Sequence, residues 1–204
     1  MSQADPPIDL EALMRRPEPG SHRTTVVVAD RRIESLADLP PRRSRLLFVG
    51  LQPSMASVDA GHYHQDSIGR TFWRRLIVAG ILPAQTDLDT ADDALIATGH
   101  GITDLLKTPV EPESDGTPNG ELTAGVGPLW QKIALWRPAA VVFLDRRAAE
   151  IAAGRTLTER WGQLVGVALA GRPCFLMPAG DAPRDEVDEA LNYLRNLGAA
   201  LPYE

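Results

Sequence analysis

Cysteine is almost absent from this 204-residue chain, where Cys174 stands alone. A single thiol excludes an intramolecular disulfide and also a Cys-ligated iron–sulfur cluster, which takes four thiolates. Its setting, the apolar run Cys174-Phe175-Leu176-Met177, reads as an inert buried side chain. No apolar run approaches the ~20 residues of a membrane span. The opening residues Met1 to Pro7 are polar and acidic, without the basic-then-apolar layout of a secretory signal. A cytoplasmic, reducing setting is therefore expected. Positive charge is also in deficit: the formal net charge is −6, which argues against a generic nucleic-acid binder. The arginines that exist gather in the first half, as Arg15-Arg16, Arg31-Arg32, Arg42-Arg43 with Arg45, and Arg70 with Arg74-Arg75. Acids collect at 87–93, at 111–115 and near the C-terminus. A locally basic face and a mixed solvated surface are both open on this distribution.

The length suits one domain with a real core. Residues 1–23, rich in Pro, Arg and acids, read as an arm with a short helix over 8–14, followed by one domain over 24–204. Thr24 to Val28 and Arg31 to Ile33 read as a small hairpin. Arg45 to Gly50 is a continuous apolar run, as expected of a buried central strand, and Ala139 to Leu144 and Pro173 to Met177 repeat that signal. Leu164 to Leu169 is a further strand. Helices are expected over 72–79 (closed by Gly80), 92–97, 122–136 (stopped by Pro138), 148–154 and 185–197. The stretch 107–119 is a long exposed loop, a kind that is often functional. Strands alternating with helices predict an α/β fold, a single three-layer α/β/α domain with a central, mainly parallel sheet.

Ligands of such sheets bind at the carboxyl ends of the strands. Two loops qualify, 51–71 after the first buried strand and 178–184 after the last. The first is dense in polar and aromatic groups. His62 and His64 lie two apart in it, but no cysteine or third histidine completes a zinc site, so no metal is expected. Gly50-Leu51-Gln52-Pro53-Ser54 is not the Gly-x-Ser-x-Gly of a nucleophile elbow, and no dinucleotide-type glycine spacing follows Gly50. Trp130 and Trp136 read as core, His100 as a solvated turn residue, and Phe72 and Trp73 as either core or base contacts.

The run Leu47-Phe48-Val49-Gly50-Leu51-Gln52-Pro53-Ser54, then Gly61-His62-Tyr63 and Phe72-Trp73, resembles the mismatch-specific uracil/thymine-DNA glycosylases of the uracil-DNA glycosylase superfamily. Their pattern is Leu-Phe-Val-Gly-Ile-Asn-Pro-Ser/Gly, with Gly-His nine residues after the Asn; Gly61 lies nine residues after Gln52. Gly101-Ile102-Thr103-Asp104-Leu105 matches the family's next strand, and Met177-Pro178 with Arg184 resembles its second catalytic loop. The match spans roughly residues 45–197.

The resemblance implies a DNA N-glycosylase that hydrolyses the bond to uracil or a related deaminated base, acting as a monomer on flipped bases and using no cofactor. Gln52 takes the place of the Asn that positions the attacking water, and His64 that of the base-stacking aromatic. Gly50, Leu51, Pro53, Ser54, Tyr63 and Phe72 would surround the base. Ala179, Gly180, Pro183, Arg184 and Arg70 would meet DNA. Gln52 keeps the amide but adds a methylene, and errors of ~1 Å in reacting geometry can cost ~10²-fold in rate. Asp59 and Asp66 are the nearby carboxylates that could activate water instead. A silent binder of damaged or single-stranded DNA and a nucleotide N-glycosidase are the competing functions.

Overall fold

The computed structural model describes residues 14–15, 18–28, 30–110 and 116–199. Most of the arm expected over 1–23, including its helix apart from Met14, lies outside them. Where the arm enters the described chain it is held to the domain: His22 is buried, and Gly20 donates its N–H to Asp93.

The predicted hairpin forms from β1 (Arg23–Val28) and β2 (Arg31–Leu36), paired antiparallel. The main sheet contains β3 (Leu46–Gly50), β4 (Gly101–Asp104), β5 (Ala140–Phe143), β6 (Gly162–Leu169) and β7 (Arg172–Leu176), in the order β4-β3-β5-β7-β6. β4, β3, β5 and β7 run parallel. The helices are α1 (Met55–Ala60), α2 (Ser67–Val78), α3 (Ala91–Ala97), α4 (Asn119–Ala124), α5 (Val126–Trp136), α6 (Arg146–Ala153) and α7 (Arg184–Ala199).

The three layers follow from the strand period of two, which sends alternate side chains to opposite faces. Leu46, Phe48, Ala140, Val142 and Phe175 enter one core with Trp73 and Leu76 of α2, Leu95 of α3, and Leu191 and Leu194 of α7. Leu47, Val49, Val141, Phe143, Cys174 and Leu176 enter the other, with Leu122, Leu129 and Ile133 of α4 and α5 and Ala148 of α6. Apolar runs with no polar alternation are what a sheet covered on both faces requires. Cys174 is the buried free thiol that its setting predicted.

Three local readings need correction, and the direction of β6, which the sequence left open, is set by its turn. β6 is antiparallel to β7, because the turn between them places Ala170 and Gly171 at φ 49° and 75°. Two consecutive positive φ values make a tight hairpin turn, so no crossover helix intervenes. The helix expected over 122–136 is two helices broken at Gly125, where a Cβ would lie 2.0 Å from the Leu105 carbonyl oxygen. Trp136 is core, but Trp130 is half-exposed. His100 is buried rather than solvated: its Nδ1 accepts the N–H of Leu46 at 3.1 Å, and burial, assisted by Arg45, lowers its pKa to about 4.

Candidate active site

The carboxyl ends of β5 and β7 open on a cavity of about 270 Å³, lined by His64, Asp66, Phe72, Arg75, Leu144, Met177, Pro178 and Gly180 among others. The two loops singled out by the strand-end rule thus form one cleft, with α2 as its wall.

His64 is fixed there by its neighbours. Asp92 accepts the Tyr63 N–H at 2.8 Å, and Trp73 Nε1 donates to the Tyr63 carbonyl at 3.0 Å. His64 itself sits at φ 56°. A Cβ on Gly69 would lie 2.6 Å from the His64 Cα, so the first turn of α2 packs directly on the His64 backbone. Phe72 and Trp73 stand edge-on to the imidazole, with centroids at 5.1 and 5.8 Å. Burial outweighs the nearby Asp66 and lowers the His64 pKa to about 4, so the ring is neutral at physiological pH. Its Nε2 is buried with no hydrogen-bond partner.

A second buried polar atom without a hydrogen-bond partner is Asp104 Oδ2. Asp104 ends β4 and is the cross-strand partner of Gly50. A Cβ on Gly50 would lie 2.3 Å from Asp104 Oδ1 and 3.8 Å from His64 Cε1. Gly50 therefore keeps open the space between a carboxyl and an imidazole. Burial raises the Asp104 pKa to about 6, with Asp38 adding to the shift and Lys107 and Lys132 opposing it. The Lys107 ammonium lies 3.9 Å from Oδ2, beyond hydrogen-bond reach.

Beneath this pair lies an ionic network. Asp38 receives Lys107 Nζ at 2.9 Å, Lys132 Nζ at 2.7 Å and the Thr103 hydroxyl at 2.5 Å. Burial alone would raise the Asp38 pKa, but the two ammonium groups and these hydrogen bonds pull it far below the usual carboxylate range. Lys107 also donates to the Tyr63 hydroxyl at 2.7 Å, and that hydroxyl donates to the Ala37 carbonyl at 2.9 Å. Tyr63 is thus core, not the base contact expected of it, and desolvation drives its pKa well above the ordinary value.

Other expected contacts are engaged elsewhere. Gln52 Nε2 donates to the Thr108 carbonyl at 2.8 Å, and Gln52 is not among the cavity-lining residues. Ser54 caps α1 through Ser57 N–H, Pro53 is buried with its carbonyl bonded to Val110 N–H, and the Leu51 carbonyl accepts from Leu106. Asp66 caps α2 through Gly69 N–H at 2.6 Å, whereas Asp59 is exposed and away from the cavity. Arg70, assigned to DNA from the sequence, bonds Gln65 and forms a surface ion pair with Asp89. Arg184 projects into solvent with only a 3.8 Å contact to Asp188, next to exposed Pro183.

Arg75, adjacent to these, has a role the sequence did not reveal. Its guanidinium donates at 3.1 Å to the carbonyls of Pro178, Ala179 and Gly180, clamping the second loop against α2. Ala179 is exposed, whereas Gly180 reaches the cavity. Arg75→Met, which keeps the stem but removes the fork, should cost about 1–3 kcal/mol of stability. It should also speed hydrogen exchange at 178–182; unchanged exchange there would remove the clamp from the account.

Comparison with known proteins bears on this geometry. No curated protein matches the chain. A solved structure of a domain of unknown function from Bordetella bronchiseptica, with bound citrate, is 14% identical over 76% of this chain and 42% of its own length. Its TM-score is 0.32, so it carries no weight here, and the present chain spans less than half of it. The family model of the uracil-DNA glycosylase superfamily matches residues 37–195, a span that includes the main sheet, both cavity loops and Asp104. The chain therefore belongs to the uracil-DNA glycosylase superfamily.

Proposed function

We propose that this protein is a monofunctional DNA N-glycosylase that hydrolyses the bond between deoxyribose and uracil or a related deaminated base. The observation that carries this reading is the pair of buried polar atoms without hydrogen-bond partners, His64 Nε2 and Asp104 Oδ2, set on either side of Gly50; His64 lines the cavity, and Asp104 lies behind it across Gly50. Buried polar groups are nearly always satisfied, and exceptions cluster where a substrate or water completes them. The cavity lies near the lower end of the ~300–1,000 Å³ range of ligand pockets, which suits a single planar base.

In this mechanism the flipped base enters against Phe72, with His64 at its edge. The ionised Asp104 takes a proton from water as that water attacks C1′, and the glycosidic bond breaks with its electron pair going to the base. Neutral His64 offers Nε2–H to the developing negative charge, an arrangement that costs no reorganisation. The departing base is then protonated from solvent. Gln52, held on Thr108, ties the loop after β3 to the segment after β4 and supports Asp104 rather than replacing it. The motif Gly50 to Ser54 and the segment Gly61-His62-Tyr63 favour the mismatch-specific branch of the superfamily. The proposed partner is DNA in the cytoplasm, approached by a monomer without a cofactor.

Base extrusion costs a few kcal/mol in paired DNA and least in mismatches or single strands. The tip Gly180-Asp181-Ala182-Pro183 of the second loop offers only Pro183 as an apolar wedge, so easily flipped bases should be preferred. Oligonucleotides carrying uracil, hypoxanthine or xanthine, single-stranded or mismatched, should acquire abasic sites. Binding without excision would favour the silent binder, and turnover of free nucleotides alone would favour the nucleotide N-glycosidase. Affinity should fall steeply with salt as phosphate neutralisation releases counterions. Arg184→Ala should weaken binding equally across sequences; unchanged affinity at low and moderate salt would remove Arg184 from the interface.

A further inference from the structure

His62 and His64 do not form a pair. His64 faces the cavity, whereas His62 turns away to Asp92 and meets a third imidazole from far upstream. His62 Nδ1 lies 2.8 Å from Asp92 Oδ1, and His22 Nε2 lies 3.9 Å from Asp92 Oδ2. The ring centroids of His22 and His62 are 5.5 Å apart, edge to face. One ligand atom from each of His22, His62 and Asp92 lies within 4.8 Å of the other two. From this convergence we propose that His22, His62 and Asp92, none of which lines the cavity, form a binding site for one divalent transition-metal ion of the zinc class.

The donor set is what such an ion takes: two imidazole nitrogens and a carboxylate, with solvent as the fourth ligand. Bonds of ~2.0–2.1 Å in a tetrahedral site place ligand atoms roughly 3.3 Å apart. The Asp92 carboxylate stands between the two imidazoles, with His62 Nδ1 2.8 Å from Oδ1 and His22 Nε2 3.9 Å from Oδ2. The surroundings are built in the same way. Asp92 is fully buried, with Oδ2 oriented by the Tyr63 N–H; Asp93 Oδ1, 2.9 Å from His22 Nε2, holds that nitrogen without an ion and would have to release it on binding, while its carboxylate keeps the Gly20 N–H. His62 is only partly buried, which leaves a path for the ion and a water.

The ligands come from the segment before β1, the α1–α2 connection and α3. A bound ion would cross-link all three, and through Tyr63 it would brace the backbone that carries His64. His100 and His64 are the chain's other histidines and Cys174 its only thiol. His100 and Cys174 are buried elsewhere, and His64 lines the separate cavity, so loss of uptake in the His22 and His62 variants assigns the ion to this site.

The test is titration of the untagged, EDTA-treated full chain with ZnCl₂ by calorimetry and with CoCl₂ by visible absorption. The wild type should take up a single equivalent, with a d–d spectrum of tetrahedral cobalt. ZnCl₂ should also raise its melting temperature, since an ion bound only by the folded state stabilises it. His22→Gln and His62→Gln, each checked for folding by circular dichroism, should weaken uptake by ~10²-fold or more and abolish the melting shift, as removal of a direct ligand exceeds the 10–100-fold cost of outer-shell changes. Asp92→Asn tests the third ligand if either histidine variant fails to fold. Absence of uptake by the wild type at millimolar zinc overturns the proposal, as does uptake retained in any folded variant of the three.

Discussion

Asp104→Asn should reduce single-turnover excision by about 10²–10⁴-fold, the range for removing a general base, while leaving the protein at least as stable at pH 7. The two halves of this expectation share one cause. Asp104 is buried at the end of β4 with an oxygen that no hydrogen bond satisfies, and desolvation raises its pKa to about 6. A carboxyl whose folded pKa exceeds its unfolded value of ~3.9 is stabilising only while protonated. Between those two values the folded state binds more protons than the unfolded one, so stability declines as pH rises. The neutral amide of Asn removes that decline along with the proton acceptor. Urea unfolding at pH 4 and pH 7, beside excision rates, measures both. Gln52→Ala removes the bond to the Thr108 carbonyl and should cost less than Asp104→Asn. If Gln52→Ala costs more, the water is positioned by the amide, as the resemblance alone implied, and Asp104 loses its role.

Asp38→Ala is the variant expected to damage the fold most. It leaves Lys107 and Lys132 without the carboxylate that both contact, and Lys132 is itself buried. Removing one partner of a buried ion pair costs about 3–5 kcal/mol, because the remaining charge stays desolvated. The loss should appear as a lower urea midpoint with an unchanged slope. Asp38→Ala combined with Lys132→Met should recover part of it, since the double variant leaves fewer orphaned charges. The pH signature is opposite to that of Asp104. The folded pKa of Asp38 lies below the unfolded value, so its contribution is fully present above ~3.9 and is lost as the solution is acidified further. A single variant equal to wild type in stability would mean that the network contributes nothing.

The sheet was legible because β3, β5 and β7 are buried on both faces and carry no polar alternation. The direction of β6 was not, because it depends on two positive φ values at Ala170 and Gly171, one of them on a residue that rarely adopts such a conformation. The break at Gly125 depends on a close approach to Leu105 from another part of the chain, which local periodicity cannot express. In the site, His64 and Phe72 could be found from their motif and reach the cavity. Asp104 was hidden among 27 acidic residues. Its significance appears only once the β3–β4 register sets it opposite Gly50. Strand ends are where such folds bind ligands, so an acid closing a buried strand was the signal available. Arg75 and Arg70 sit five residues apart in one basic cluster, and nothing local distinguishes the loop clamp from the arginine held by Asp89.

The central claim, excision driven by ionised Asp104 beside a neutral His64, is tested most directly by the pH dependence of single-turnover excision from a uracil-containing single strand. The predicted rate rises about tenfold per pH unit at the acid end, bends near pH 6 and is level to pH 8, with no second inflection from His64, whose pKa is about 4. A rate independent of pH from 5 to 8, or no excision at any pH despite tight binding of the strand, would contradict it.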